Sequence, residues 1–301
     1  MKLTNLQKFP EPFFRAIEAN VYSKGDAHYS ATGLIDSPRI VLLKERHGDE
    51  IVEDVADLFF AFFGTMAHKV LEEAGADNAF IEERLYWAFG TKEKRMISGA
   101  TDFVTELVGG KLKITDHKTT SVWTAIYGDR KKDWEEQLNI YAYLYKAHGF
   151  DPGELEIFVM YRDWRNGEAK RAELKNEYYP PKAEMISIPL WHYGKQQEFI
   201  ESKVAALVAA EPLPDAELPE CTPEQTWEKP ASYAVFKKDG KRAMSGGVKD
   251  SEEEAIQMMK EKAGAGGRVE KRPGERTRCE GGYCSVAFAC NQFQDWMKWK
   301  A

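Results

Sequence analysis

Ile97-Ser-Gly-Ala-Thr-Asp102-Phe-Val-Thr-Glu-Leu-Val108-Gly109-Gly110-Lys111-Leu-Lys-Ile-Thr-Asp116-His117-Lys118-Thr-Thr120 decides how the chain reads. Its β-branched and aromatic residues suit two strands. Val108-Gly109-Gly110-Lys111 suits the hairpin turn between them, because glycine enters the left-handed backbone region without steric cost. Strand periodicity puts Asp116 and Lys118 on one face, and the short turn brings Asp102 alongside Asp116. Two carboxylates so close repel unless a cation joins them. Mg²⁺ or Mn²⁺ is the expected occupant, since both prefer oxygen ligands. Such an ion polarises a phosphodiester and acidifies bound water. Lys118 is expected to orient or help deprotonate that water, and to add positive charge for the phosphate.

On the N-terminal side, Ile51, Val55, Leu58, Phe59, Phe62, Phe63, Met66 and Val70 recur at three- and four-residue steps. The spacing predicts a helix from Asp49 to about Ala74, with close packing at Gly64 and with His68 as a nitrogen ligand. Before it, residues 29–39 read as a polar loop leading into a short helix. Strands are predicted over Phe80–Phe89, Arg95–Leu107 and Lys111–Asp116; Glu83 offers an extra carboxylate. The backbone carbonyl of His117 offers a further oxygen. On the C-terminal side, a helix is predicted over Lys132–His148, with Trp134, Leu138, Tyr141 and Tyr145 on one stripe. Gln137 and Tyr141 are four residues apart and share a face, from which they are expected to hold a DNA phosphate or the Lys118 ammonium. Trp123 and Trp134 flank this region as candidates for stacking on unpaired bases. Strands follow over Leu155–Tyr161 and Met185–Leu190, then a helix over Tyr193–Ala210.

The 301 residues are 43% hydrophobic and 30% charged, which suits a globular chain with a sizeable core. No apolar run approaches the roughly 20 residues that span a bilayer, and the first residues lack an apolar signal core. The expectation is therefore a cytoplasmic protein with no membrane partner. The formal charge of −7 argues mildly against phosphate binding in general. A carboxylate–metal site acting on a phosphodiester needs only a local basic track, for which Lys92-Glu93-Lys94-Arg95, Arg130-Lys131-Lys132 and residues 268–278 are candidates. Five prolines between Glu211 and Pro230 mark an irregular crossing. Beyond it, a hairpin is expected around Asp239-Gly240, pairing Tyr233–Phe236 with Arg242–Met244. A helix capped by Asp250 is expected to run to Ala263, and a last strand over Arg268–Lys271. The domains expected are residues 1–220 as the core, and residues 221–301 as a C-terminal cysteine region holding a small α+β insertion at about 231–272.

Gly64-Thr-Met-Ala-His68, Gly99-x-x-Asp102, Asp116-x-Lys118 and Gln137-x-x-x-Tyr141 together resemble the RecB-type branch of the PD-(D/E)XK nucleases. That branch includes the RecB and AddB nuclease domains, CRISPR-associated adaptation nucleases and many phage exonucleases. The resemblance covers roughly residues 29–161. It implies an α/β fold of restriction-endonuclease type, a central mixed sheet flanked by helices, and divalent-metal cleavage of DNA. By that match His68, Asp102 and Asp116 are metal ligands, Lys118 is the catalytic lysine, and Gln137 and Tyr141 are the branch's helix pair. The proline of the family name is replaced by Thr101. The expected substrate is DNA, single-stranded or with free ends, in replication, recombination or repair in a phage-like setting, with room for a protein partner from those processes.

Cys279, Cys284 and Cys290 cluster near the end of the chain, and Cys221 is the one other cysteine. Four cysteines suit iron–sulfur or Zn²⁺ chemistry, or are simply buried thiols. Several RecB-type nucleases carry a [4Fe–4S] cluster on such a set, and the resemblance implies one here. Two features depart from the family pattern: the first spacing is wider, and Cys221 precedes a 57-residue interval, 222–278. A cluster would staple the chain end, where Phe288, Phe293, Trp296 and Trp299 are expected to pack. The competing readings are a catalytically silent nuclease fold that binds DNA or a partner, and an iron–sulfur protein with a vestigial site. Asp102→Asn is expected to weaken metal binding and to raise stability by relieving carboxylate repulsion.

Overall fold

The computed structural model describes residues 1–20, 23–90, 94–128 and 131–300. Lys92, Glu93 and Arg130 of the candidate basic clusters lie outside them. The chain forms two compact units. One comprises Met1–Asp36 with Val52–Glu211, and the other Ser37–Ile51 with Pro212–Ala301.

In chain order the first part holds β1 (Lys2–Thr4), α1 (Glu11–Ala19), β2 (Tyr29–Ser30), α2 (Ala31–Ile35), α3 (Pro38–His47, of the second unit), β3 (Val52–Asp54), α4 (Phe59–Ala74), β4 (Ala79–Phe89), β5 (Arg95–Glu106) and β6 (Leu112–Thr120). Then come α5 (Val122–Tyr127), α6 (Lys131–Ala147), β7 (Pro152–Tyr161), α7 (Asn166–Lys175), β8 (Ala183–Ile188) and α8 (Tyr193–Ala210).

The central sheet runs β2-β5-β6-β7-β8, with β4 also paired to β5. β4, β5 and β6 are antiparallel neighbours, β6 and β7 are parallel, and β8 returns antiparallel. This is the expected mixed sheet. The hairpin between β5 and β6 turns at Gly109 and Gly110, both at positive φ (93° and 79°), and closes through Leu107 N–H donating to Lys111 O at 2.7 Å. A parallel β6–β7 pair needs a long crossover, and α5 with α6 supplies it.

Helix α6 is the centre of the core. The stripe predicted from its sequence is too narrow: nearly every residue from Trp134 to Tyr145 is buried, because α6 packs on the sheet and also against α2 and α8. Leu138, Ile140 and Leu144 are almost wholly inaccessible, each worth roughly 1.5–3 kcal/mol of burial. The close fit explains Gly99 on β5: a Cβ there would come within 2.7 Å of Tyr141 and 2.8 Å of Leu144. Trp134 is buried, so the stacking role expected of it does not hold.

Residues 49–74 do not form one helix. Val52–Asp54 pairs in parallel with Lys2–Thr4, and the Asp54 carboxylate accepts from Thr4 Oγ1 and from the amides of Leu6 and Ala56. Those bonds fix a turn, so α4 starts only at Phe59. The apolar residues at helical spacing before that point serve a strand and a turn instead. α4 has no fully buried residue; Phe13 of α1 packs on Phe59 and Phe62. The segment 29–39 is likewise more regular than a loop, with Ser30 capping α2 by accepting from Gly33 N–H.

The second unit adds β9 (Glu228–Lys229), β10 (Ser232–Phe236), β11 (Val248–Lys249), α9 (Glu252–Met258), β12 (Arg268–Arg272), β13 (Glu275–Arg276), α10 (Thr277–Glu280) and α11 (Asn291–Lys300) to α3. β10 lies between β11 and β12, antiparallel to both. Its hairpin partner is thus Val248–Lys249; Arg242–Met244 is a turn tied to β10 by Met244 N–H donating to Val235 O. Ser251, not Asp250, caps α9, accepting from Glu254 N–H, and a π-helical turn over Met259–Ala263 follows. Val235, Ala255, Met258 and Ala263 form a small core of their own. No helix among the described residues is long and apolar enough to cross a membrane.

Candidate active site

Successive residues of β6 face opposite sides of the sheet. Asp116 meets α6, and the ring of His117 meets α4. Asp116 is 2% exposed. Its Oδ1 accepts from Gln137 Nε2 at 3.3 Å, and the same Gln137 nitrogen lies 2.6 Å from Tyr141 Oη. Its Oδ2 lies 2.5 Å from Lys118 Nζ but accepts no well-angled hydrogen bond. Gln137 and Tyr141 are both buried. Gln137 thus links Asp116 to Tyr141 inside the core.

Close to Asp116, His68 Nδ1 lies 3.4 Å from Asp102 Oδ1, and Asp102 Oδ2 accepts from the His117 amide at 2.6 Å. The His117 ring stands among Phe103, Phe158 and His68, with centroids 6.4, 5.8 and 5.8 Å away. Gly64 lets α4 approach β6: a Cβ there would be 2.9 Å from Thr119 Oγ1.

The third group beside His68 and Asp102 is Glu82. Ligand atoms of these three residues lie within 4.8 Å of one another. The carboxylate singled out from the sequence is Glu83. The β4–β5 ladder, however, pairs Ile81 with Phe103 and Glu83 with Thr101, skipping Glu82 and Asp102. Glu82 takes a positive φ of 53°, a conformation that costs a non-glycine residue about 1–3 kcal/mol. The ladder keeps one register on both sides of the skipped pair, so Glu82 stands opposite Asp102. The adjacent pair Glu82-Glu83 was visible in sequence, but a period-two pattern does not say which of the two stands opposite Asp102.

The electrostatics of the set are uneven. Burial pushes the Asp116 carboxyl up to about 6, against the pull of Lys118 and with a further push from Asp102. Burial also acts on Asp102, but His68, the His117 amide and Lys118 outweigh it and hold that carboxyl below its ordinary range. The bond to Asp102 raises His68, burial lowers His117, and burial with the nearby Asp102 raises Glu82. One carboxylate is therefore ready to ligate, while the other ionises only as pH rises past about 6 and is stabilised in its charged form by a cation. A hard cation fits this donor set of carboxylate oxygens and one imidazole. It would also share the Oδ2 of Asp116 with the Lys118 ammonium.

In the second unit, Cys221, Cys279, Cys284 and Cys290 line one cavity together with Ile40, Leu43 and Val286. None is in a disulfide, and all but Cys279 are buried. Burial raises Cys221 and Cys284, and pushes Cys279 up to about 12. Gln292 fixes the Cys221 backbone, its Oε1 accepting from Cys221 N–H at 2.9 Å and its Nε2 donating to Cys221 O at 2.8 Å. Cys221 Sγ lies 3.3 Å from Ser37 Oγ. Phe288 and Trp299 are exposed rather than packed; Trp296 stacks on Trp299 and lies under the Arg276 guanidinium.

A model of the PD-(D/E)XK nuclease superfamily matches residues 35–291. No curated protein is significantly similar. Among solved structures, the crystal structure of SSO0001 aligns at 16% identity over 71% of this chain and 87% of that one, with a TM-score of 0.45. The family match spans most of the sequence, and on it the chain belongs to the PD-(D/E)XK nuclease superfamily, the metal-dependent nucleases.

Proposed function

We propose that the protein is an exonuclease that hydrolyses phosphodiester bonds of DNA, using Mg²⁺ or Mn²⁺ held by His68, Asp102, Asp116 and the backbone carbonyl of His117, with Glu82 as a further carboxylate. The observation that carries this reading is the meeting of His68, Glu82 and Asp102 beside a buried Asp116 whose Oδ2 lacks a hydrogen bond. The cation supplies charge against the phosphate and acidifies a water molecule. Lys118 Nζ, in contact with Asp116, orients the attacking water and faces the charge that builds on the phosphoryl oxygens. Gln137 is a positioning residue: with Tyr141 behind it, it fixes one oxygen of Asp116 and leaves the other free for metal and lysine. The His117 amide does the same for Asp102. The family resemblance supports a role in replication, recombination or repair, in a phage-like, cytoplasmic setting and beside a protein partner.

The test uses one DNA in linear and covalently closed circular forms, incubated with Mn²⁺ and with EDTA. Metal-dependent loss of the linear form with the circle spared supports an exonuclease, and a label on either end gives its polarity. Cutting of the circle at the same rate would make the enzyme an endonuclease.

On the family resemblance we also propose a [4Fe–4S] cluster on Cys221, Cys279, Cys284 and Cys290, with Zn²⁺ as the alternative; the lining of one cavity by all four supports a shared group. The domain division proposed is a nuclease core within residues 1–220 and a cysteine-bearing region, 221–301, with an insertion at about 231–272 that has its own small core; Ser37–Ile51 and residues 212–220 of the former cluster with the cysteines.

A further inference from the structure

The catalytic strand leads directly into an exposed pair of aromatic rings. Three residues after Lys118, Ser121 opens α5, and that turn is well anchored. The Asp163 carboxylate accepts from Ser121 Oγ at 2.5 Å and from Val122 N–H at 2.8 Å. Thr120 and Thr124 hydroxyls lie 2.9 Å apart, and Gly128, at φ 72°, ends the helix. On this short, fixed helix Trp123 and Tyr127 stack with centroids 5.8 Å apart and planes 16° from parallel. They are 55% and 68% exposed. An anchored helix spending two large rings on solvent is unusual, since such rings ordinarily supply core or interface contacts.

Positive charge stands at the end of the strand that leads into α5. Arg162 is exposed; its backbone N–H donates to Thr120 O at 2.9 Å, and its guanidinium stands 4.4 Å over the ring of Phe60, itself 56% exposed. Aromatic faces and a cation next to the phosphate-cleaving residues match what a single strand offers: bases with free faces, and a charged backbone. In a duplex each base is already stacked on its neighbours, so flat rings gain little from it except at a frayed end.

We propose that Trp123 and Tyr127 form a base-stacking platform that holds an unpaired stretch of the DNA substrate within a few nucleotides of the cleaved bond, with Arg162 on its backbone, and so select single-stranded DNA or single-stranded ends. The proposal rests on the nuclease reading of the neighbouring site. Bases stack on the pair without sequence preference, because every base has a π face.

The experiment measures binding of end-labelled oligodeoxythymidine by fluorescence anisotropy in Ca²⁺, and cleavage in Mn²⁺, for wild type, Trp123→Ala, Trp123→Phe and Tyr127→Ala. One stacked base contributes about a five- to 150-fold factor in affinity. Each alanine variant is therefore expected to bind at least fivefold more weakly, and Trp123→Phe to retain most of the affinity. A scan of single abasic sites through the oligonucleotide should find a position where the missing base weakens wild type but not Trp123→Ala. Alanine variants that bind single strands as wild type does, or an abasic scan that is flat in wild type, would overturn the platform. Failure of wild type itself to cleave any DNA would instead remove the nuclease reading beneath it.

Discussion

Asp116→Asn should stabilise the metal-free protein while abolishing its chemistry. The Asp116 carboxyl has an ordinary value of 3.8 and is pushed up to about 6 by burial. A group raised in the folded state contributes fully below its unfolded value, and that contribution is lost as pH rises through the folded value. Near pH 7.5 the ionised side chain therefore opposes folding, by at most ~3 kcal/mol for a shift of about two units. Asparagine keeps the shape and removes the charge. Lys118, a quarter exposed, can turn towards water once its partner is neutral, and Gln137 keeps an acceptor. Some of the ceiling is lost with that ion pair, so the expected gain is ~1–2 kcal/mol, a rise of roughly 2–8 °C in melting temperature for a unit of this size. Thermal unfolding in EDTA from pH 4 to pH 8 should show the gap opening as pH climbs past about 6. Saturating Mn²⁺ should reverse the order, because the metal binds only the folded wild-type site. An asparagine variant less stable than wild type at pH 7.5 in EDTA, or a gap independent of pH, would refute the reasoning. The sequence-based expectation assigned this gain to Asp102→Asn. The structure transfers it to Asp116, because the contacts with His68 and the His117 amide already stabilise the Asp102 charge.

Metal binding should release protons. His68 is raised by Asp102 and must lose its proton to ligate, so calorimetric affinity for Mn²⁺ should rise from pH 6 to pH 8 and the heat should vary with the buffer's ionisation enthalpy; no buffer dependence at pH 6.5 would remove His68 from the ligand set. Gly99→Ala should cost ~1–3 kcal/mol, because its Cβ would collide with Tyr141 and Leu144, and the displaced Tyr141 should carry Gln137 with it. The check is denaturant unfolding beside single-turnover cleavage, and unchanged values for both would contradict the packing. Cys284→Ala should lose any absorbance near 400 nm from protein purified without oxygen, where ~400 nm marks iron–sulfur charge transfer, together with bound iron; a variant equally coloured and equally rich in iron would exclude its ligand role.

The sheet was legible because its signals are local. Gly109-Gly110 fixes the hairpin, alternation fixes the faces of β5 and β6, and the run before Tyr161 fixes β7. Helix α8 could be read to the residue from its own pattern. What could not be read depends on distant partners. The strand at Val52–Asp54 exists because Lys2–Thr4 pairs with it, and the residues whose spacing mimics a helix there, Ile51, Val55 and Leu58, lie on either side of it. Trp134 looks like a surface platform in the linear sequence, but α6 is enclosed by the sheet, α2 and α8. In the candidate site, the pairing of Asp116 with Lys118 and of Gln137 with Tyr141 follows from spacing alone. Glu82 does not, because the register of β4 against β5 decides which of Glu82 and Glu83 stands opposite Asp102. Association of Ser37–Ile51 with the C-terminal region likewise leaves no trace in composition.

The central claim is that the groups around Asp102, Asp116 and Lys118 cleave DNA with a divalent ion. Its most direct test is turnover of end-labelled single-stranded DNA by wild type and Lys118→Ala, each with Mn²⁺ or EDTA, with Mn²⁺ binding measured on the same preparations. The account predicts cleavage by wild type only with metal, and a loss of at least a hundredfold in the lysine variant, on the order of one electrostatic donor at the reacting phosphate, while that variant still binds Mn²⁺. Cleavage by Lys118→Ala at the wild-type rate, or a folded wild type that binds Mn²⁺ and cuts no DNA, would contradict it.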